Sequence, residues 1–575
     1  MKEAIEKRNV SHNILREVRQ AVRLKAKSLG DQSKQIYAQE FIRTIFETFI
    51  GNYKHTYSVA DELTETIGDK IKHLPFDLAV YTISTSYTTL LPSNYRSRLG
   101  IFYTPPVLVK RILDVIEDKI DGSLMEQKII DPSCGGGAFL VPILHRILRN
   151  HNLDHDEIQY FLTYNLRGID KDPFGAWLTE QFLEYLLGMY FPEHTFNLEG
   201  IIACQDSLGI DAKQFETFDL VIGNPPYGKV SLSDSVRKKW KKSIYGHANY
   251  YGLFSHLGTK LLKEDGIMAY VMPASFLGGK YFKNLRYLFL NTCPPLAADF
   301  VKQRDGVFPD VLQEVSLMYF KKNAVPRPDI DVNFIDACKL EELQITPGGT
   351  YLISSTDDAP WIIPRNIDQL AALVGLDRLT LRLKDLGYKV STGPLVWNRH
   401  KDQLSKRKGR HSTLIVWAES ISPKNNGVFK HRCEGRNHLP YYTSIKSNDP
   451  NLVHQPCILI QRTTSIEQER RLVLGIMDRD FLAKYPKGVA VENHLNMVIP
   501  IKGRTPLVRL TTIAYLLNTK IIDNVFRCIN GSTAVSSFEL SSIPFPDLNS
   551  MIALDHLIKA EQFAKANQLI ERLYL

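Results

Sequence analysis

The sequence predicts an α/β fold, in which strands of an open sheet alternate with helices, joined to a C-terminal α+β region. Short apolar runs end in an acidic residue at Asp131, Asp170 and Asp206, and helical patterns follow the first two. The first acid opens a glycine-rich turn. A fourth apolar run ends in Asn-Pro-Pro-Tyr at 224–227. Because neither proline can donate to a sheet ladder, that strand must stop there. Open α/β sheets bind their ligands at such strand ends.

Composition indicates a globular protein with room for several domains. The chain has 575 residues, of which 44% are hydrophobic and 23% charged, and its net charge of +9 suits a polyanionic partner. The N-terminus is polar and no apolar run approaches about 18 residues, so neither secretion nor a membrane span is predicted. The seven cysteines form no CxxC pair. We therefore expect a cytoplasmic protein without disulfides or a zinc site.

The pattern of apolar residues divides the chain into four parts. Residues 1–92 predict a helical N-terminal extension, which carries no nuclease signature. Residues 93–325 contain the acid-terminated runs. Residues 326–365 are rich in Pro, Asp, Thr and Gly and predict a linker. Residues 366–575 predict a second domain of short strands and basic loops, which ends in an amphipathic helix at 551–573.

The Asn-Pro-Pro-Tyr motif suits the alkylation of a planar amine. The side-chain oxygen of Asn224 and the carbonyl of Pro225 are acceptors with no hydrogen to give. Together they could hold both hydrogens of an exocyclic amino group and leave its lone pair directed at an electrophile. Tyr227 supplies a flat face for stacking. Taken alone, the motif also fits an ordinary turn, but three strand-end acids in series ahead of it favour a functional site.

This motif resembles the catalytic motif of S-adenosylmethionine-dependent amino methyltransferases, above all the gamma order of DNA adenine-N6 methyltransferases. Residues 131–139 resemble the Asp-Pro-x-Cys-Gly-x-Gly-x-Phe motif of that family, and Tyr-Thr-Pro at 103–105 resembles its N-terminal cofactor motif. The resemblance implies a Rossmann-like class I methyltransferase domain over 93–325. With weaker motifs, it also implies a target-recognition domain over 366–575, facing the first across a basic cleft.

The resemblance implies S-adenosyl-L-methionine as the cofactor. The helix after the glycine turn suits the cofactor's carboxylate, Asp131 its ammonium group, Asp170 its ribose and Asp206 its adenine. Thr104 is expected to cap the next helix, and Cys134 to be a wall residue rather than a nucleophile. The residues expected at the cofactor are Tyr103, Thr104, Pro105, Asp131, Pro132, Ser133, Cys134, Gly135, Asp170, Lys171, Asp206, Ser207, Asn224, Pro226 and Phe254.

A target adenine in duplex DNA would have to be rotated out of the helix to reach this site. Basic segments in both domains predict phosphate and base-edge contacts, and no metal is implied. The expected catalytic residues are Asn224, Pro225, Pro226, Tyr227 and Phe308, the last stacking on the adenine opposite Tyr227. The residues expected to bind DNA are Lys229, Arg237, Lys238, Lys239, Lys241, Lys242, Lys406, Arg407, Lys408, Arg410 and Arg462.

The predicted function is site-specific DNA adenine-N6 methylation that protects host DNA in a restriction-modification system. The expected partners are duplex DNA and a cognate restriction endonuclease, and the oligomeric state stays open between monomer and homodimer. The alternatives are an RNA or protein-glutamine methyltransferase and a non-catalytic specificity subunit. The Tyr-Thr-Pro entry and the long C-terminal domain argue against the first alternative, and the intact acids against the second. The choice of adenine over cytosine-N4 rests on Asn224 through the family.

Overall fold

The structure is a computed structural model in which the chain divides into two units. Unit 1 comprises Met1–Pro273 and Asn284–Pro347, and unit 2 comprises Ala274–Lys283 and Gly348–Leu575. The chain therefore leaves unit 1 after Pro273, returns at Asn284 and leaves again after Pro347. The described residues are 2–29, 34–51, 61–92, 95–96, 103–150, 152–210, 213, 215–302, 314–322, 329–339, 342–354, 359–422, 428–444, 448–465 and 468–575.

The N-terminal part of unit 1 is helical over the range in which the sequence predicts helices. Its helices are α1 (Lys2–Ser28), α2 (Lys34–Phe49), α3 (Glu62–Lys72) and α4 (Phe76–Leu90). Phe46 of α2 packs its ring 6.2 Å from Trp177 and 5.5 Å from Phe182, both in a later helix of unit 1. These helices therefore contribute to the core of unit 1.

A large mixed sheet lies at the centre of unit 1. The strands in this part of the chain are β1 (Ile129–Asp131), β2 (Leu166–Asp170), β3 (Ile202–Cys204), β4 (Phe218–Gly223), β5 (Lys229–Val230), β6 (Ala248–Asn249), β7 (Leu262–Pro273), β8 (Pro295–Val301), β9 (Val315–Lys321), β10 (Asp329–Lys339) and β11 (Glu342–Leu352). Within the described residues, nine of them form one sheet in the order β11-β10-β8-β9-β7-β4-β1-β2-β3, and β5 pairs with β6 separately.

The strands from β7 to β3 run parallel, and β9 is antiparallel to both of its neighbours. The central strands are apolar on both faces because helices cover the sheet. The helices after α4 are α5 (Pro106–Glu117), α6 (Leu140–Asn150), α7 (His155–Tyr160), α8 (Pro173–Tyr190), α9 (Asp234–Lys239), α10 (Tyr250–Leu261), α11 (Ser275–Gly278) and α12 (Lys283–Thr292), of which α11 belongs to unit 2.

The linker predicted for 326–365 is largely sheet. β10 pairs in parallel with β8, with Asp331 opposite Ala297 and Ile335 opposite Val301, and β11 lies beyond β10 at the edge. Ile330, Val332 and Phe334 are buried, and they alternate with more exposed residues. A strand near the edge of a sheet needs only one apolar face, so its composition is more polar than that of a central strand. That composition led the sequence to predict a linker.

Unit 2 contains two further sheets among its described residues, with strand orders β12-β20-β17-β18 and β13-β15-β14-β19-β16. Its strands are β12 (Tyr388–Thr392), β13 (Leu404–Ser405), β14 (Ser412–Val416), β15 (Tyr441–Thr443), β16 (Leu452–Val453), β17 (Cys457–Gln461), β18 (Leu474–Met477), β19 (Val489–Val491) and β20 (Leu495–Pro500). Its later helices are α13 (Arg479–Ala483), α14 (Leu510–Leu517), α15 (Lys520–Ile529), α16 (Ser537–Ser541), α17 (Leu548–Lys559) and α18 (Phe563–Tyr574).

The single C-terminal helix predicted for 551–573 is two helices. Glu561, between α17 and α18, has a φ of 55°, a left-handed conformation that ends a right-handed helix. Both helices bury one face in the apolar core of unit 2, through Met551, Leu554 and Ile570 among others. Among the described residues, no helix is long and apolar enough to cross a membrane.

A buried carboxylate joins α5 to three strands of the sheet in unit 1. Asp299 of β8 is 0% exposed. It accepts hydrogen bonds from Arg111 Nε at 2.8 Å, from the Tyr319 hydroxyl at 3.1 Å and from Asn333 Nδ2 at 2.9 Å. Removing one partner of a buried ion pair leaves the other charge uncompensated.

We expect Asp299→Ala to lower the free energy of unfolding of unit 1 by about 3 kcal/mol, because Arg111, whose side chain is only 16% exposed, then lacks its partner. Urea unfolding monitored by circular dichroism measures the change. The control is Asp69→Ala, since Asp69 pairs with Lys72 on α3 and its side chain is 57% exposed. An equal loss in both variants would contradict this role of Asp299.

Candidate active site

A cavity lies at the carboxyl ends of β1, β2 and β4. The strand order changes direction at β1, which has β2 on one side and β4 on the other, and ligands bind in the crevice that such a switch point creates. The cavity has a volume of about 410 Å³. It is lined by Tyr103, Thr104, Pro132, Ser133, Cys134, Gly135, Ala138, Phe139, Asp170, Lys171, Asp172, Asp206, Ser207, Asn224, Pro226, Tyr250 and Phe254.

All residues that the sequence placed at a cofactor line this cavity, except Pro105 and Asp131. The residues that the sequence missed are Ala138, Phe139, Asp172 and Tyr250. Asp172 stands two positions after the strand-end acid Asp170, and Tyr250 opens the helix that carries Phe254. A search one turn beyond the end of β2 would have found Asp172.

The glycine turn after β1 is held against the ends of the neighbouring elements. The amide of Cys134 donates to the Ile169 carbonyl at 3.0 Å, and the amide of Gly135 donates to Asp170 Oδ2 at 2.8 Å. The Thr179 hydroxyl donates to the Gly135 carbonyl at 2.6 Å. Gly135 has a φ of 52°, and a Cβ there would lie 2.8 Å from the Tyr103 ring. Glycine is therefore required for the turn to lie this close to the cavity wall.

Two acids of the cavity have different partners. Asp170 accepts from the amides of Gly135 and Asp172, each at 2.8 Å, and burial raises its pKa to about 6. Asp206 accepts from Lys171 Nζ at 2.8 Å. Both residues of this ion pair are more than half exposed, so the pair lies at the solvent side of the cavity. Asp170 thus offers a partly desolvated carboxylate, and Asp206 a solvated one.

Asp131 lies behind the cavity wall rather than in it. Its side chain is 1% exposed, and its Oδ1 accepts from the Ser133 amide at 2.9 Å. Burial raises its pKa well above the usual range of a carboxyl. A Cβ at Gly223 would lie 2.6 Å from Asp131 Oδ1, so the end of β4 packs directly on this acid. Asp131 therefore does not line the cavity, and its Oδ2 has no hydrogen-bond partner among the described residues.

The cavity contains hydroxyl groups that suit an anionic or polar ligand. Tyr103 is 8% exposed and Thr104 is 2% exposed. Among the described residues the Thr104 hydroxyl has no hydrogen-bond partner, and the Tyr103 hydroxyl has at most a weak one, the Gly136 backbone. Pro105, not Thr104, occupies the cap position of α5, because the helix begins at Pro106, so the predicted Thr104 cap is absent. A buried hydroxyl without a partner is costly. A ligand carboxylate or hydroxyl in the cavity would satisfy these groups.

The Asn-Pro-Pro-Tyr motif follows β4 as the sequence predicts. Asn224 and Pro226 line the cavity, and the Asn224 carbonyl accepts from the Ser133 hydroxyl at 3.5 Å. The Tyr227 hydroxyl donates to the Val271 carbonyl at 3.1 Å, and the Tyr227 ring meets Tyr251 edge-on at 6.2 Å. These contacts fix the orientation of the Tyr227 ring. Phe308, the predicted second stacking residue, lies outside the described residues.

The basic residues expected to bind DNA occur in both units. Lys239 donates at 2.9 Å to the carbonyl of Leu208, the residue that follows Ser207 of the cavity. Arg462 donates to the Asn493 carbonyl at 3.0 Å. The exposed residues are Lys229, Lys238, Lys239, Lys241, Lys242, Lys406, Arg407, Lys408 and Arg410, whereas Arg237 and Arg462 are half-buried. Within the part of the chain that the structure describes, no group of His, Cys, Asp and Glu has a metal-binding arrangement.

Part of the chain matches a family of known proteins. Residues 165–308, which include β4 and the motif after it, match the Eco57I restriction-modification methylase family. This part of the chain is therefore similar to Eco57I-type methylases. The chain is 25% identical over 488 residues to the type II methyltransferase M.BsuBI of Bacillus subtilis, a match that covers 82% of this chain and 93% of that protein.

The sequence matches to type II methyltransferases extend beyond residues 165–308. The type II methyltransferase M.PstI of Providencia stuartii is 24% identical, and the match covers 82% of this chain and 92% of that protein. Among solved structures, the type IIL restriction-modification enzyme MmeI in complex with DNA aligns with a TM-score of 0.48 at 13% identity, over 100% of this chain and 95% of that one.

Cys134 of the cavity wall should be inert toward alkylating reagents. It is buried, and burial raises its pKa well above that of a free thiol, so its reactive thiolate form is suppressed. We expect iodoacetamide at pH 8 to modify Cys204, which is exposed, much faster than Cys134. Peptide mass spectrometry of the native protein measures both rates. Equal rates would show that the cavity wall opens to solvent.

Proposed function

We propose that this protein is a site-specific DNA adenine-N6 methyltransferase of a restriction-modification system, with S-adenosyl-L-methionine as its methyl donor. The observation that carries the proposal is the shared cavity wall formed by the glycine turn, the strand-end acids and the Asn-Pro-Pro-Tyr motif. The family match and the type II methyltransferases named above support it. Duplex DNA is the proposed substrate, and the restriction endonuclease of the same system is a proposed partner.

The residues of the cavity fit this donor. Its carboxylate suits the Tyr103 and Thr104 hydroxyls and the glycine turn, and its ribose hydroxyls suit the acceptors of Asp170. Asp206 and Phe254 are assigned to its adenine. When bound, S-adenosyl-L-methionine supplies an electrophilic methyl group on a positively charged sulfur.

The Asn-Pro-Pro-Tyr motif would position the base to be methylated. Asn224 Oδ1 and the Pro225 carbonyl accept the two hydrogens of the adenine N6 amino group, which leaves the nitrogen lone pair directed into the cavity. Tyr227 stacks on the flipped base, and Phe308 is assigned to its other face. Stacking and the two hydrogen bonds offset the few kcal/mol needed to unstack the base from the duplex.

The chemistry then depends on position more than on acid–base catalysis. Holding the amine in line with its electrophile lowers the barrier by removing the need for a productive collision. No general base is required before transfer, because the amine becomes strongly acidic only after it has gained the methyl group, and its proton then leaves to water. The choice of adenine rather than another amine belongs to the proposal.

The first experiment is incubation of the purified protein with S-adenosyl-L-methionine labelled in its methyl group and with duplex DNA of mixed sequence. Digestion to nucleosides and chromatography identify the product. Label in N6-methyladenine is the expected result. Label in cytosine, in RNA or in protein would overturn the proposed substrate, and binding of the donor without any transfer would favour a non-catalytic specificity subunit.

The role of the motif is tested by Asn224→Ala and Tyr227→Ala. We expect each to lower the rate of methyl transfer by about a hundredfold or more, since the amine is no longer held or stacked. Tyr227→Phe is the matched control, because it keeps the ring and loses only the hydrogen bond to Val271. Single-turnover rates with saturating donor measure the effect. A Tyr227→Ala variant as fast as Tyr227→Phe would contradict stacking.

The basic loop that follows β13 should bind DNA phosphates. Reversing the charge of Lys406, Arg407 and Lys408 to Glu is expected to weaken duplex binding about tenfold or more at low salt and to leave donor binding unchanged. The control reverses three exposed cations of unit 2 on α17 and α18, namely Lys559, Lys565 and Arg572.

Fluorescence anisotropy with labelled duplex at several salt concentrations measures the DNA affinity of both triple variants. If the loop contacts phosphates, its variant also shows a shallower dependence of affinity on salt. If both triple variants weaken binding equally, net charge and not this loop determines affinity.

A further inference from the structure

The N-terminal helices reach the wall of the cavity through one carboxylate. Asp172 lines the cavity and is 3% exposed. Tyr87 of α4 donates its hydroxyl to Asp172 Oδ2 at 3.0 Å, and Tyr95 donates to Oδ1 at 3.4 Å. Gln35 of α2 donates in turn to the Tyr95 hydroxyl at 3.0 Å. A chain of hydrogen bonds thus runs from the N-terminal helices to the cavity.

Asp172 differs from the other acids of the site in its partners. Asp206 has Lys171 and Asp170 has two backbone amides. Asp131, whose Oδ2 has no hydrogen-bond partner among the described residues, does not line the cavity. Asp172 is held by phenol hydroxyls and by the Phe174 amide at 3.4 Å, and among the described residues it has no cationic partner. A buried carboxylate without a counter-ion is unfavourable, and a cation supplied by a ligand would compensate it.

The position of Asp172 indicates which part of the donor it meets. Asp172 is the N-cap residue of α8. Gly175, in the first turn of the same helix, packs on Gly135: a Cβ at Gly175 would lie 3.3 Å from the Gly135 carbonyl carbon. Asp172 therefore lies on the glycine-turn side of the cavity, where the proposed carboxylate site is. The donor carries an ammonium group on the carbon next to that carboxylate.

We propose that Asp172 binds the α-ammonium group of the donor and that Tyr87 and Tyr95 are positioning residues that hold its carboxylate toward the cavity. This inference rests on the proposed function and assigns to Asp172 the contact that the sequence suggested for Asp131. It also makes the N-terminal helices a structural part of the donor site. Burial raises the pKa of Asp172, and the hydrogen bonds from Tyr87 and Tyr95 lower it again, so they favour the ionised form.

The test compares two ligands that differ only in the amino group. One is S-adenosylhomocysteine, and the other is its analogue in which hydrogen replaces the α-amino group. Isothermal titration calorimetry at pH 7.5 gives both dissociation constants. The wild type should bind S-adenosylhomocysteine about tenfold to a hundredfold more tightly than the analogue, as expected for a hydrogen-bonded charge pair.

In Asp172→Asn the ratio of the two dissociation constants should fall at least fivefold, through weaker binding of S-adenosylhomocysteine alone. Asn is an effective helix cap, so α8 keeps its N-terminus and the fold is preserved. A variant that retains the wild-type ratio, or that weakens both ligands by the same factor, would overturn the assignment. A wild type that binds neither ligand would overturn the proposed function, and the inference with it.

The positioning role is tested by Tyr87→Phe, which removes one hydroxyl and keeps the ring packed on Phe174. This variant should lower the same ratio, and it should have no further effect in the Asp172→Asn background, because both act on one contact. Tyr81→Phe is the control, since Tyr81 lies on the same helix and its hydroxyl interacts with Arg19. Additive effects of Tyr87→Phe and Asp172→Asn would contradict the positioning role.

Discussion

The close approach of the glycine turn to the strand ends is the constraint on which the cavity depends. Residues 134–136 touch β2, α4 and α8 at once, through hydrogen bonds to Ile169, Asp170, Ser84 and Thr179. A side chain at any glycine of the turn would meet a neighbouring residue within 3 Å. Because interiors are close-packed, such a turn has little room to shift. The positions of Asp170 and Asp172 relative to the turn follow from this packing.

The sequence predicted the sheet and most of the cavity because both depend on local signals. An apolar run that ends in an acid marks the end of a strand, and parallel strands bring their carboxyl ends to one edge of a sheet. Asp170, Asp206 and Asn224 are far apart in the chain, yet each ends or follows a strand in this way. Their convergence in one cavity could therefore be inferred without knowing any long-range contact.

The features that the sequence missed depend on long-range contacts. β10 and β11 are strands because β8 offers a partner, and their own composition favours a linker. Asp131 resembles the other strand-end acids, but it does not line the cavity, because the end of β4 at Gly223 packs on it. The side chain of Asp172 is held by a hydrogen bond from Tyr87, which stands 85 positions earlier in the chain. The break at Glu561 falls within residues that all favour helix, so no local signal marks it.

The charges of the cavity affect how tightly it would bind the donor and the product of the proposed reaction. The Lys171–Asp206 pair is neutral overall, whereas Asp170 and Asp172 have no cationic partner among the described residues, so the wall is negative when both are ionised. The donor carries a sulfonium charge that its product lacks. A negative wall therefore binds the donor more tightly than the product, and this difference favours release of the product after transfer.

The same preference for the sulfonium charge opposes the loss of that charge during the chemical step. In the proposed mechanism, acceleration therefore comes from the placement of the amine that is assigned to Asn224 and Pro225 rather than from the carboxylates of the wall.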